Sequence, residues 1–299
     1  MKIKYWIKAA RLRTLPLALS CILMGASLAI INNYKIQPKV LFLAFVTTVL
    51  LQVLSNFAND YGDGVKGSDI NRKKSDRMVQ SGKITSKQML FGIIMISITT
   101  LITGILLLTF VFSSNEIWLF LFFLLLGLLS IMAAIKYTVG KGAYGYKGFG
   151  DVFVFIFFGI VGVLGSYYLF TQTFSWLTIL GSMFTGLLSC GVLNMNNIRD
   201  YKNDQTSKKN TLVVYMGLKK AKTYQKLLIT VAIISFFTII AIANNSILWI
   251  TCLPIILLIR HLFFVNNNKE LEKFDSQLKI IALSCFASCL LLLIFSMLI

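Results

Sequence analysis

Charged residues are scarce in this chain. They make up 13% of its 299 residues, and only 11 residues are Asp or Glu, whereas hydrophobic residues reach 57%. A soluble domain of this length needs many more charged side chains to cover its surface. The composition therefore excludes an ordinary soluble globular domain and indicates a protein embedded largely in a lipid bilayer.

Histidine is also rare, and the cysteines show no Cys-x-x-Cys motif. Each of the five cysteines falls within an apolar stretch. We expect them to be small buried hydrophobic side chains. The single histidine, His261, follows Arg260 at the inner end of an apolar stretch, and we expect an interfacial residue there rather than a catalyst.

Nine apolar stretches approach the length of about 20 residues that a helix needs to cross a bilayer core about 30 Å thick. They cover residues 14–31, 40–58, 89–112, 117–135, 151–169, 176–195, 224–243, 247–262 and 278–299. The sequence therefore predicts an all-α membrane protein with nine transmembrane helices, forming a single integral-membrane domain over residues 1–299.

The basic residues predict the topology. When the connecting segments are assigned alternately to the inside and the outside, starting inside, only Lys35 and Lys39 of the 29 Lys and Arg residues fall outside. This asymmetry follows the positive-inside rule. It predicts a cytoplasmic N-terminus, cytoplasmic loops at 59–88 and 196–223, and an external C-terminus. Membrane topology thus explains most of the net charge of +18, and we expect no nucleic-acid partner.

A first cluster of amide and carboxylate side chains follows the second apolar stretch. Asn56, Asn59, Asp60 and Asp63 have the spacing i, i+3, i+4 and i+7. If the helix continues there, these side chains share one face. The cluster is therefore expected at the cytoplasmic end of the second helix.

A second cluster follows the sixth stretch. Asn196, Asp200 and Asp204 repeat the helical spacing at i, i+4 and i+8, and the pattern Asn-x-x-x-Asp-Tyr that begins at Asn196 also begins at Asn56. Four helices separate the clusters, so both emerge on the same side. A parallel duplication with a site between its halves is a plausible origin.

Carboxylate and amide oxygens are hard ligands that suit Mg²⁺ rather than zinc or copper. Mg²⁺ usually binds one or two carboxylates together with substrate phosphates. Solvated loop acids without a function are the alternative, but these acids continue the faces of apolar helices, where ionised groups are costly. The predicted metal ligands are Asn59, Asp60, Asp63, Asp200 and Asp204.

Basic residues flank both clusters, and a third inner segment adds the pattern Tyr137-x-x-x-Lys141. Positive-inside topology explains most of these cations, while a few are expected to complete a diphosphate pocket. The candidates for substrate binding are Asn56, Asn59, Arg72, Arg77, Lys141, Asn196 and Lys209.

Two segments resemble the signatures of the intramembrane aromatic prenyltransferases, the UbiA superfamily. The first reads Leu54-Ser-Asn-Phe-Ala-Asn-Asp-Tyr-Gly-Asp-Gly-Val-Lys-Gly-Ser-Asp69, and the second reads Asn196-Asn-Ile-Arg-Asp-Tyr-Lys-Asn-Asp204. The broad pattern Asn-Asp-x-x-Asp-x-x-x-Asp ends here at Gly67, and the next acid is Asp69. The naphthoate branch of the superfamily resembles this sequence at that point, so the shift favours that branch and leaves the role of Asp69 open.

The resemblance implies a fold and a reaction. The fold is nine helices around a central cavity that opens sideways to the lipid and is capped by two cytoplasmic loops. The reaction joins a polyprenyl diphosphate to 1,4-dihydroxy-2-naphthoate, with loss of CO₂, in a bacterial cell membrane and with Mg²⁺ as cofactor. The catalytic residues implied are Asp60, Asp63, Asp200, Asp204 and, by motif match, Tyr137. The tail length and the oligomeric state stay open.

Several alternatives remain at this stage. Within the superfamily, the acceptor is less certain than the chemistry, and homogentisate, 4-hydroxybenzoate or haem are possible. A CDP-alcohol phosphatidyltransferase is a weaker alternative, because Asp60-x-x-Asp63-Gly64 matches only the start of its signature. A transporter would need charges in the middle of its helices, and this sequence has essentially none.

Three glycines form a stripe of small residues in the fifth apolar stretch, at Gly159, Gly162 and Gly165. Small residues let helix backbones approach closely in a membrane. Room for an isoprenoid chain is the alternative explanation. We expect close helix packing.

Overall fold

The computed structural model describes residues 2–67 and 77–299, and it contains only helices and their connections within those ranges. In the same ranges, nine helices are long and apolar enough to cross a membrane. They are numbered spans 1 to 9: Ile3–Ile31, Pro38–Lys66, Ser86–Val111, Ser114–Lys136, Gly150–Thr171, Leu177–Arg199, Leu212–Ala243, Ser246–Asn267 and Leu271–Ser296. The predicted all-α fold with nine membrane helices is confirmed.

The helices differ from the predicted stretches mainly at their polar ends. Span 2 continues to Lys66, and span 7 begins at Leu212 with a break at Gly217, where φ is +77°. Hydropathy ends a stretch at its first polar side chains, but backbone hydrogen bonds continue the helix past them. Asp60 and Asp63 therefore belong to a helix and not to a loop.

The chain divides into two compact units. Unit 1 comprises Met1–Leu15, Leu43–Gly150 and Tyr201–Tyr215, and unit 2 comprises Pro16–Phe42, Asp151–Asp200 and Met216–Ile299. Both units are built from segments that are distant in the sequence. The prediction of a single domain stays a prediction.

The core of unit 1 joins the start of span 1 to spans 2 and 3. Its buried side chains are Ala9, Ala10, Leu54, Phe57, Ala58, Met78, Ile84, Met89 and Ile93. The Trp6 and Phe57 rings pack edge to face, with centroids 5.3 Å apart. Met78 and Ile84 precede span 3. Burying a side chain of this size stabilises the folded state by about 1.5–3 kcal/mol relative to leaving it exposed. These two side chains therefore anchor the segment between Arg77 and span 3 to the core.

In unit 2, span 6 packs against spans 5 and 9. A Cβ atom added to Gly159 of span 5 would lie 2.8 Å from the Ser182 carbonyl oxygen, and one added to Gly162 would lie 2.8 Å from the Cys21 Cβ. At Gly165 the nearest atom would be 4.0 Å away, on Val161 of the same helix. Close packing is confirmed for Gly159 and Gly162 but not for Gly165.

The predicted interfacial position of His261 is wrong, because its side chain is buried inside unit 2. Its Nδ1 lies 2.8 Å from the Gln277 Oε1, an acceptor, so Nδ1 carries the proton. Its Nε2 lies 3.1 Å from the Gln225 Nε2, which donates to it. Asn194 in turn donates to the Gln225 Oε1 over 2.9 Å. Hydropathy could not reveal these partners, since they come from three other spans.

The close approach of spans 5 and 6 predicts that Gly159→Ala destabilises the protein. The new methyl group would press on the span 6 backbone, and overpacking of this kind costs about 1–3 kcal/mol. The midpoint of thermal unfolding in detergent should fall accordingly. Gly165→Ala is the matched control, since the nearest heavy atom would lie 4.0 Å from its Cβ, an ordinary contact distance. Equal midpoints for the two variants would contradict the packing described here.

Candidate active site

The first cluster lies on the last turns of span 2. Asn56, Asn59, Asp60 and Asp63 all belong to the continuous helix that ends at Lys66, which confirms their predicted common helix. Asp60 and Asp63 are buried. A buried carboxylate is tolerated only when hydrogen bonds or cations stabilise its charge. The partners of these two acids therefore define the site.

Asp60 binds the backbone of the segment that leads to span 3. Its Oδ2 accepts a hydrogen bond from the Met78 N–H, and its Oδ1 accepts one from the Val79 N–H, each over 2.9 Å. Met78 is itself buried in the core of unit 1. Asp60 thus ties the end of span 2 to the following segment.

Asp63 is surrounded by cations. It forms a buried ion pair with Arg77, and its Oδ1 accepts a hydrogen bond of 2.7 Å from the Tyr146 hydroxyl. Arg11 and Lys209 also lie close enough to stabilise its negative charge. Side chains from four separate parts of the sequence therefore meet at this carboxylate.

Tyr146 connects three segments of unit 1. The Lys66 Nζ lies 4.0 Å from the centre of its ring, and the Lys209 Nζ lies 5.3 Å from it. Its carbonyl oxygen accepts a hydrogen bond of 3.2 Å from the Asn210 N–H. Tyr146 therefore contacts the first signature segment and the residues that follow the second.

The two asparagines of span 2 contact other protein groups. The Asn56 Nδ2 donates to the Ala10 carbonyl over 2.8 Å and to the Thr14 hydroxyl over 2.9 Å. The Asn59 Oδ1 accepts a hydrogen bond of 3.2 Å from the Thr138 hydroxyl. Asn56 thus fixes the start of span 1. Substrate binding by these asparagines stays a prediction.

Tyr137 and Lys141 follow the C-terminal end of span 4. The Tyr137 ring is half-buried and packs edge to face on the Tyr144 ring, with centroids 5.3 Å apart. Lys141 is exposed. Burial raises the pKa of Tyr144 above its usual range, so the hydroxyl stays protonated and donates to the Ala133 carbonyl over 2.9 Å. Roles for Tyr137 and Lys141 in substrate binding or catalysis stay predictions.

The second cluster does not share one helix face, so that prediction is wrong. Span 6 ends at Arg199, Asp200 is its C-cap, and Asp204 belongs to a separate short helix, Tyr201–Thr206. Arg199 donates to the Asn196 Oδ1 over 2.6 Å and to both Asp200 oxygens over 2.8 Å, and it also pairs with Asp275. Asn196 and Asp200 lie in unit 2, whereas Asp204 is buried in unit 1.

Some expectations fall on residues that the structure does not describe. The candidate Arg72 and the open role of Asp69 lie outside the described residues. Conversely, the sequence did not single out Arg11, Lys66, Tyr146 or Arg199 as site residues. Two shorter segments also resemble the family, one from Arg11 to Pro16 and one from Tyr137 to Tyr146. Arg11 begins the first and Tyr146 ends the second, and this resemblance was the available signal.

The donors of the first cluster suit Mg²⁺ chemically, since all are carboxylate or amide oxygens. A carboxylate has about four acceptor positions, and Asp60 accepts two backbone hydrogen bonds. Such bonds orient metal-binding carboxylates without preventing coordination. Within residues 2–67 and 77–299, no group of three or more Asp, Glu, His or Cys side chains could hold a metal ion by itself. Substrate phosphates would have to supply further ligands.

Comparison with known proteins identifies a family. Residues 18–290 match the UbiA prenyltransferase family. A 1,4-dihydroxy-2-naphthoate octaprenyltransferase of Haemophilus influenzae is 40% identical, over 94% of this chain and 93% of the relative. An Escherichia coli protein with the same name is 43% identical, over 75% of this chain and 72% of its own length.

Solved structures with much lower identity share the fold. The apo structure of a UbiA homologue from Aeropyrum pernix has a TM-score of 0.66 at 15% identity, covering 95% of this chain and 98% of its own. A UbiA homologue from Archaeoglobus fulgidus, bound to GPP and Mg²⁺, has a TM-score of 0.65 at 14% identity, covering 97% and 99%.

The two backbone hydrogen bonds at Asp60 predict a structural effect for Asp60→Asn. The amide NH₂ would face the Met78 or Val79 N–H, and leaving such a buried donor unsatisfied costs about 1–3 kcal/mol. We expect a lower thermal midpoint without substrate or metal. Asp275→Asn is the control, because the Asp275 side chain is half exposed and exposed ion pairs contribute about 0–1 kcal/mol. An unchanged midpoint for Asp60→Asn would exclude the anchoring role.

Proposed function

Since the chain belongs to the UbiA prenyltransferase family, we propose that it transfers a polyprenyl group from polyprenyl diphosphate to 1,4-dihydroxy-2-naphthoate. Diphosphate and CO₂ are released, and the quinol form of demethylmenaquinone is formed, which air oxidises to the quinone when the product is isolated. The relatives with 40% and 43% identity carry this acceptor in their names. Family membership favours prenyl transfer over phosphatidyl transfer or transport. Other aromatic acceptors are the alternative within the family.

The observation that carries the proposal is the excess of positive charge at Asp63. Arg11, Lys66, Arg77 and Lys209 all lie within electrostatic reach of this one carboxylate. A group of cations that outnumbers its carboxylates attracts a polyanion. Arginine and lysine both bind phosphate oxygens through charge-assisted hydrogen bonds. A diphosphate head group suits this environment.

Mg²⁺ is proposed as the cofactor, held by Asp60 and Asp63 with Asn59, and by Asp200 and Asp204. When bound, it would neutralise the charge that develops on the departing diphosphate. Arg77 and Tyr146 hold Asp63 in one orientation. The cations of the cluster would keep the released diphosphate in place while the allylic carbon bonds to the aromatic ring.

The remaining roles concern the tail and the acceptor. The polyprenyl chain would lie among apolar spans, which exclude water from the allylic cation. The half-buried Tyr137 ring is proposed to stabilise that cation, since aromatic faces attract positive charge. Loss of CO₂ from the prenylated ring carbon would restore the aromatic ring. These steps need no charged group in the middle of a helix.

We further propose that the protein lies in a bacterial cell membrane as one functional domain. The distribution of basic residues supports a cytoplasmic N-terminus and cytoplasmic site loops, with the C-terminus outside. In this orientation the diphosphate head group and the naphthoate enter from the cytoplasm, while the prenyl tail enters from the lipid. No nucleic acid is expected as a partner.

Product analysis tests the reaction and its metal requirement. Purified protein in lipid is incubated with Mg²⁺, a polyprenyl diphosphate and 1,4-dihydroxy-2-naphthoate, 4-hydroxybenzoate or homogentisate, and the products are identified by mass spectrometry. We expect demethylmenaquinone from the naphthoate alone, loss of activity with EDTA and recovery with Mg²⁺. Preference for another acceptor would refute the assigned substrate, and full activity in EDTA would refute the metal mechanism.

Two carboxylates that are distant in sequence are expected to serve the same step. Asp63→Ala and Asp204→Ala should each lower kcat by orders of magnitude, because both remove stabilisation of the departing diphosphate. The double variant should be little worse than either single one, since residues that act as a unit are not additive. Glu270→Ala is the control, as Glu270 is exposed and pairs with Lys273, which is also exposed. Wild-type turnover in either single variant would show that the substituted residue does not take part in this step.

A further inference from the structure

Tyr146 contacts three members of the charged cluster around Asp63, which consists of Asp63, Arg11, Lys66, Arg77 and Lys209. Neither its residue type nor its spacing marked Tyr146 as a site residue. Its short 3₁₀ helix, Tyr144–Tyr146, follows the inner end of span 4. Gly145 allows this turn to lie against Tyr137, since a Cβ atom there would be 2.7 Å from the Tyr137 carbonyl oxygen. The turn therefore holds Tyr146 in a defined position.

The hydroxyl of Tyr146 orients Asp63. It donates to the Asp63 Oδ1 over 2.7 Å, while Arg77 binds the Oδ2. A hydrogen bond to a charged acceptor is about twice as strong as one between neutral groups. The two donors approach different oxygens, so together they restrict rotation of the carboxylate.

The ring of Tyr146 holds two of the cations. The Lys66 Nζ lies 4.0 Å from the ring centre and the Lys209 Nζ lies 5.3 Å from it, both within the range of cation–π attraction. Lys66 ends span 2, and Lys209 follows the second signature segment. One side chain thus sets the spacing between a carboxylate and two lysines.

We propose that Tyr146 is a positioning residue, which holds Asp63 and the Lys66 and Lys209 ammonium groups in the arrangement that binds the diphosphate. The proposal rests on the proposed function of this cluster. It assigns separate tasks to the two parts of the side chain. The hydroxyl orients the carboxylate, and the ring orients the cations. Tyr146 acts through these groups and not on the reacting atoms.

Binding measurements can separate the two tasks. The probe is farnesyl thiolodiphosphate, an analogue that resists transfer, and the readout is its Mg²⁺-dependent thermal stabilisation of the purified protein. Tyr146→Phe removes only the hydroxyl and should weaken binding about tenfold or more. Tyr146→Leu also removes the ring and should weaken binding about two- to tenfold further. Tyr144→Phe is the matched control, since its hydroxyl binds the Ala133 carbonyl, and it should bind the probe like wild type.

A double-mutant cycle tests whether the hydroxyl acts through Asp63. In Asp63→Asn, the further change Tyr146→Phe should have little effect on binding, because the charged acceptor is already absent. Tyr146→Phe keeps the ring, so it should fold even if Tyr146→Leu does not, but its midpoint without ligand should fall because the buried Asp63 loses a hydrogen bond. Binding is therefore measured as the shift from each variant's own midpoint without ligand. Wild-type affinity in Tyr146→Phe, or losses that simply add in the cycle, would overturn the proposal.

The same preparations distinguish this proposal from the proposed reaction. If wild-type protein binds the analogue but does not prenylate 1,4-dihydroxy-2-naphthoate, the acceptor is wrong, while the expected binding losses still support Tyr146 as a positioning residue. If wild-type protein makes demethylmenaquinone and Tyr146→Phe matches it in binding and in kcat, the reaction stands and the positioning role is refuted.

Discussion

The two buried carboxylates at the end of span 2 are the constraint on which the charged part of unit 1 depends. Removing a carboxylate from water costs several kcal/mol unless partners stabilise its charge. The backbone amides of Met78 and Val79 do this for Asp60, and Arg77 and Tyr146 do it for Asp63. Because these partners come from different segments, satisfying the charges also brings the segments together.

Packing and charge reinforce one another at this point. The residue whose N–H binds Asp60, Met78, also places its side chain in the apolar core formed by spans 1, 2 and 3. Asn56, one turn earlier on span 2, fixes the start of span 1 through Ala10 and Thr14. The acidic face of span 2 therefore organises the protein as well as presenting ligands. Substitutions on this face will need stability measurements beside activity.

The second cluster is stabilised in a different way. Arg199, the last residue of span 6, binds Asn196 and Asp200 and also pairs with Asp275 at the start of span 9. A single arginine thus satisfies the polar groups where span 6 ends. Asp204 lies beyond this break, on its own short helix in unit 1. The similar sequence patterns at Asn56 and Asn196 consequently have different local structures.

The sequence by itself determined the fold class, the family and the number of spans, because these follow from hydropathy, helix length and two signature segments. It also located Asp60 and Asp63 on one helix, since their spacing matches the helical period. Only the tertiary structure decided that span 6 ends at Arg199, that His261 is buried, and that Tyr146 contacts Asp63, Lys66 and Lys209. These features depend on contacts between residues that are far apart in the chain, and a periodic pattern carries no information about such partners.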